Sequence, residues 1–133
     1  MDNTFKLQVI CPDRVFYEGE ASMLELNTIE GEVGIYKHHV PMTMIIAPGA
    51  MTITEGDGTK KDAAVHSGFI EVLGEKVTVL AEVAEWPGEI DVERAERAKE
   101  RATKRLEEKL TGTDIARAQT ALQRAIARIY VVK

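Results

Sequence analysis

The chain has 133 residues, 44% of them hydrophobic and 29% charged, with a net charge of −5. That length suits one domain, or one domain with an appendage, and the acidity argues against nucleic acid as the main partner. A single cysteine, Cys11, excludes an internal disulfide and a multi-cysteine metal site. No apolar run approaches the ~20 residues of a membrane-spanning helix. Met1-Asp2-Asn3-Thr4 lacks the basic, then apolar, start of a signal peptide, so a cytoplasmic place is expected.

From the N-terminus, Phe5, Leu7 and Val9 alternate with polar neighbours, which predicts a strand over 4–10. Pro12-Asp13 turns it. Val15–Tyr17 and Ser22–Thr28 follow as strands, the second with Leu24 and Leu26 on one face. Glu30-Gly31-Glu32-Val33-Gly34 reads as a loop: a solvated turn or an acidic contact tip. Pro41 and Pro48-Gly49 bracket the apolar stretch 42–47. Met51 and Ile53 alternate before a Gly56-Asp57-Gly58 hairpin turn. Stretches 61–66, 69–73 and 77–81 complete a predicted β-sandwich of about ten short strands.

This part contains no recognisable active site. His38-His39 lacks the spacing of a helical metal pair, and Ser67 lacks the Gly-x-Ser-x-Gly frame of a nucleophile elbow. The histidines, His38, His39 and His66, and Ser67 read as loop or strand-end polar residues, and Cys11 as a small apolar one.

The character of the chain changes at Trp86-Pro87-Gly88, so a division into 1–86 and 87–133 is expected. Residues 1–88 carry 6 basic and 14 acidic side chains, net −8; residues 89–133 carry 11 and 8, net +3. Asp91 is placed to cap a helix whose apolar stripe is Ala95, Ala98, Ala102, Leu106 and Leu110. Thr111-Gly112-Thr113-Asp114 interrupts it, with Gly112 expected to end one helix and Asp114 to cap the next. Ile115, Ala118, Leu122, Ala125, Ile126 and Ile129 form the second stripe. Two such helices with a short link predict an antiparallel hairpin.

Side chains three or four apart on a helix can pair. Arg97 has Glu93 and Glu100, Arg105 has Glu108, Arg117 has Asp114, and Arg94 has only Asp91. Arg101, Arg124 and Arg128 have no acid at these spacings. In an antiparallel hairpin Arg94 and Arg101 approach Arg124 and Arg128. Such a set is a solvated basic face, a polyphosphate site, or a face for an acidic partner.

The order and spacing of several segments resemble the epsilon subunit of bacterial F-type ATP synthase along nearly the whole chain. The segments are Glu30–Tyr36 with His39-x-Pro41, Ser67–Val72, Val77–Ala81, Asp91-x-x-Arg94-Ala95, and Ala121-Leu122-x-Arg124-Ala125-Ile126-Ala127-Arg128. The chain departs at Lys37-His38, where the family usually has Pro-Gly. The resemblance implies a β-sandwich followed by a helical hairpin, in a non-catalytic rotor subunit of a proton- or sodium-translocating complex. It implies gamma subunit, c-ring and alpha/beta catalytic head as partners, and a peripheral place on the cytoplasmic face of the cell membrane. Glu30, Gly31 and Glu32 fall where the family meets the c-ring, and His39 in a gamma-facing part. The hairpin of the family can extend and inhibit ATP hydrolysis. Some members bind ATP through Ile/Leu-Asp-x-x-Arg-Ala, which Ile90, Asp91, Arg94 and Ala95 match, with Arg101, Arg124, Arg128 and Glu85 accompanying. No cofactor is required; ATP is implied as a regulatory ligand. The alternative is a free cytosolic ATP-sensing binding protein, which would lack an apolar patch for a gamma partner.

Overall fold

The computed structural model describes residues 3–108 and 111–133. Its strands are β1 Phe5–Cys11, β2 Arg14–Thr28, β3 Gly31–Ile35, β4 His39–Ile45, β5 Gly49–Glu55, β6 Lys60–Gly74 and β7 Lys76–Glu85. A 3₁₀ turn at Pro87–Glu89 leads to helices α1 Val92–Glu107 and α2 Gly112–Val132. The alternation read in β1 is real: Phe5, Leu7 and Val9 are fully buried, as are Leu24 and Leu26 of β2.

The strands form one continuous sheet folded on itself, in the order β1-β7-β6-β5-β2-β3, with β4 on β6 and β1 also on β2. Two long strands make the fold-over. β2 pairs β1 as far as Ala21, then shifts register and pairs β5 and β3. β6 pairs β5 through Val65 and β4 from Phe69 onward. Between them Ser67 and Gly68 take φ 63° and 133°, and β7 stays in register across the kink. The count of about ten short strands is therefore corrected to seven among the described residues. The breaks left between strands at 18–21 and at 67–68 lie inside the single strands β2 and β6, because neighbouring strands keep the ladder intact there.

The 30–34 loop is likewise corrected. Only Ile29 and Glu30 turn; from Gly31 the chain pairs with β2, Leu26 opposite Val33 and Leu24 opposite a buried Ile35. Gly31 takes φ 121°, whereas Gly34 does not take a positive φ. The turn at Lys37-His38 closes with the His39 amide donating to the Tyr36 carbonyl at 3.2 Å. His38 holds it at φ 65°, a conformation that glycine reaches without steric cost.

The helices pack on each other, and α2 also packs on β5 and β6. Ala95 and Ala102 of α1 and Ala118 and Ala125 of α2 are buried, as the stripes require. α2 buries a further face that the stripe missed: Ala127 and Val131 sit on Ala64, with Ala50 and Ile90 beside them. Ile126, expected in the stripe, is half exposed. Thr111, not Asp114, caps α2: its hydroxyl accepts from the Asp114 amide. Gly112 lies inside that helix, and α1 has already ended at Glu107. Leu110 lies outside the described residues.

The turn joining sandwich and hairpin is tied to the start of β2. Arg14 donates from both terminal nitrogens to Glu89, each at 2.8 Å, and to the Ala84 carbonyl at 3.3 Å. The Trp86 amide donates to the same carboxylate at 2.9 Å, while the Trp86 ring stacks on Phe16 at 4.1 Å. The Arg14 guanidinium, then the Trp86 amide, hold the Glu89 carboxyl down to about 2.

Two outcomes follow. A Cβ at Gly68 would run into the Leu80 carbonyl on a backbone already at positive φ, so Gly68→Ala should cost at least ~3 kcal/mol in urea unfolding. Arg14 and Glu89 are both partly exposed, so solvent screens the pair and Arg14→Ala should destabilise the chain only slightly, far less than Gly68→Ala. The Glu89 carboxyl is depressed from 4.5 to about 2, so the contribution of this pair is complete above pH 4.5 and fades as pH falls toward 2. Urea titrations of both chains between pH 2 and 6 should converge at the acid end.

Candidate functional site

The end of β7, the 3₁₀ turn and the first turns of α1 run consecutively, and α2 returns beside them. Asp91 caps α1 by accepting from the Arg94 amide at 3.1 Å. Arg94, Ala98 and Arg101 follow at steps of four and three, so they share one face of α1. The preceding Glu89 is fixed by Arg14, which sets where Ile90 and Asp91 enter the helix.

These pieces enclose a cavity of about 320 Å³. Its walls are Glu85 of β7, Glu89, Ile90 and Asp91 of the turn, Arg94, Ala95, Ala98 and Arg101 of α1, and Arg128 of α2. Thus Glu85, Ile90, Asp91, Arg94, Ala95, Arg101 and Arg128 meet at one place. Arg124 does not line it. Arg124 lies one turn earlier on α2, with a buried Nε that has no hydrogen-bond partner among the described residues. Arg128 is not free of acids either: its Nε donates to Glu85 at 2.6 Å. A count of neighbours within the helix could not find that partner, which stands 43 residues away in sequence.

Chemically, three guanidinium groups and three carboxylates converge around small apolar side chains. Guanidinium forks suit phosphate oxygens, and carboxylates accept from hydroxyl and amino groups. The volume is within the range of small-molecule sites, about 300–1,000 Å³. The orphaned Arg124 Nε marks unused donor capacity next to this set. Glu89 and Ala98 were missed as wall residues; their positions just before Ile90 and three after Ala95 were the available signal.

His66 was also underestimated. It is 8% exposed, and neither ring nitrogen has a partner among the described residues. Burial, then the nearby Arg124 and Arg128, push its pKa from 6.5 to about 4. Cys11 is buried, and burial pushes its thiol up.

Other surfaces lie away from the cavity. Glu30, Gly31 and Glu32 are exposed at the β2–β3 turn. His39 begins β4, with Nδ1 3.0 Å from the Val40 carbonyl oxygen. Across the sheet, Ile10, Leu80, Phe69 and Ile45 stand opposite one another on four neighbouring strands. The last three are 36%, 45% and 54% exposed, so they form an apolar row open to solvent. Among the described residues there is no group of three or more His, Cys, Asp or Glu that could hold a metal ion. None of the described helices is long and apolar enough to cross a membrane.

Two family models match. The ATP synthase delta/epsilon chain beta-sandwich domain covers residues 4–87, and the long alpha-helix domain of the same family covers residues 89–133. The chain is 42% identical to the ATP synthase epsilon chain of Caldanaerobacter subterraneus subsp. tengcongensis over 98% of its length and 95% of the relative. It is 45% identical to that of Shouchella clausii, over 98% of this chain and 96% of the relative. In fold it is similar to a chain of the Euglena gracilis mitochondrial ATP synthase, with a TM-score of 0.85 at 20% identity, covering 100% of this chain and 84% of that one. A chain of the Tetrahymena thermophila mitochondrial ATP synthase central stalk and c-ring gives a TM-score of 0.70 at 12% identity, covering 96% of each. With its sandwich and its helices both matched, and relatives above two-fifths identity from end to end, the chain belongs to the ATP synthase delta/epsilon family, among the epsilon chains.

Proposed function

We propose that this chain is a rotor subunit that couples rotation in the complex and brakes ATP hydrolysis through its hairpin, with ATP as the ligand that releases the brake. The observation that carries this reading is the convergence of Arg94, Arg101 and Arg128 on the Ile90–Ala95 motif around one cavity. A polyphosphate there neutralises the three guanidiniums, and an oxygen reaching Arg124 gives its orphaned Nε an acceptor. Extension of the hairpin separates α2 from the turn and dismantles the cavity. Because the ligand binds the docked state better, it shifts the population toward it.

The open apolar row at Ile45, Phe69 and Leu80 supports a gamma subunit as partner of the sandwich and disfavours a free cytosolic sensor. The exposed Glu30–Glu32 tip is the part we assign to the c-ring. The released basic face of the hairpin would meet acidic surface of the alpha/beta head, with the subunit peripheral at the cytoplasmic face of the membrane.

Calorimetry on the isolated chain should show one ATP bound in preference to ADP. Alanine at Arg101, Arg124 or Arg128 should weaken it about 10- to 100-fold each, the worth of a charged hydrogen bond. No heat at millimolar ATP would remove the nucleotide from this reading. Regulation is checked separately, in the reconstituted complex with and without residues 89–133. The truncated complex should hydrolyse faster at low ATP and equally at high ATP. Equal rates throughout would show that the hairpin is no brake.

A further inference from the structure

The outer face of β6 under α2 carries Ala64 and His66 two residues apart. Ala64 is packed by Ala127 and Val131. His66 is buried with both nitrogens unpartnered among the described residues, close to Arg124 and Arg128 of the same helix. An imidazole in this seat can be held neutral. Protonated, it becomes a third cation beside two guanidiniums, with a second N–H that finds no acceptor. Arg128 is itself paired with Glu85 of β7 at 2.6 Å, and β7 sets Val83, which does not ionise, opposite His66. On the other side, β5 sets Gly49 and Ala50 opposite Val65 and Ala64, and neither ionises.

We propose that His66 makes docking of the hairpin on the sandwich proton-dependent, so that acidification releases the arm. Lifting α2 exposes the imidazole to water and removes both guanidiniums at once, so the undocked state takes up the proton that the docked state refuses. Here the folded value is depressed, from 6.5 to about 4. Docking is therefore at full strength above pH 6.5 and weakens as pH falls, until about pH 4. Between pH 8 and pH 5 the docking constant should fall about 30-fold from this one group. The consequence for hydrolysis rests on the braking role proposed above. The docking step itself does not, and it is tested without nucleotide.

The test uses the full chain. The imidazole of His66 is titrated by NMR, assigned by its loss in His66→Gln and distinguished from His38 and His39. Amide exchange of α2 is then measured at pH 8, 6.5 and 5 in the native chain and in His66→Gln. Comparison at equal pH cancels the intrinsic pH dependence of exchange. His66 should titrate below pH 5. Protection of residues 124–131 relative to the variant should drop about 30-fold from pH 8 to pH 5. His66→Ser, a smaller side chain, serves the same comparison if glutamine does not fit the seat. A His66 that titrates near 6.5 with α2 still protected, or a protection ratio that does not move with pH, overturns the proposal. An ATP titration that fails while this ratio moves would leave the proton latch standing and remove only the nucleotide.

Discussion

Everything in this molecule hangs on one strand buried on both faces. From Ala63 to His66, four consecutive residues of β6 are buried. Ala63 and Val65 belong to the sandwich core, while Ala64 and His66 face the hairpin. Immediately after it, the kink at Ser67-Gly68 carries the strand from β5 to β4. The same segment thus closes the sandwich and forms the floor on which α2 rests. Small side chains at 50 and 64 let a helix approach the sheet closely, and the kink lets one strand serve both layers.

The two attachments differ in strength for a physical reason. The sandwich core is continuous and rich in large side chains, among them Phe5, Leu7, Leu24, Leu26, Ile35 and Ile70. The hairpin docks through Ala64, Ala127 and Val131, with Ala50 and Ile90 at the margin. At about 25 cal/mol per Å² of apolar surface, alanine contacts contribute little. The remaining hold is polar: the Glu85–Arg128 pair, which is two-thirds or more shielded on both sides. A body that is firmly packed and an arm that is lightly docked are what a movable element requires. Light docking also means that a ligand or a proton with a modest preference for one state can shift the balance.

Charge organises the arm more than apolar packing does. The Arg14–Glu89 clamp fixes the turn from which α1 starts, and Glu85 holds α2 at its far end. Between these two pairs, Arg94 and Arg101 line the cavity without a salt-bridge partner among the described residues. Arg124 is left with an orphaned Nε. The docked arm therefore stores uncompensated positive charge next to a hollow. That arrangement suits the anion proposed above and disfavours any further cation, and His66 is placed where a further cation would form.

By itself the sequence determined the periodicities and hence the classes of element. The alternation in 5–9 and 24–26, and the three-and-four spacing after Asp91, are local properties that survive any context. The motif at 90–95 and the excess of arginine were visible for the same reason. What the sequence misread were positions where a neighbour overrides local preference. Glycines at 31 and 34 sit in a strand because β2 pairs with them, and β2 and β6 run on through bends because their ladders hold. Thr111 caps α2 in place of Asp114 because the chain direction there puts its hydroxyl at the free amide. Only the tertiary structure decided that Arg128 finds Glu85, that Arg124 stays off the cavity wall, and that His66 is buried under both. Each of those depends on contacts between residues more than forty positions apart, and no spacing along the chain records them.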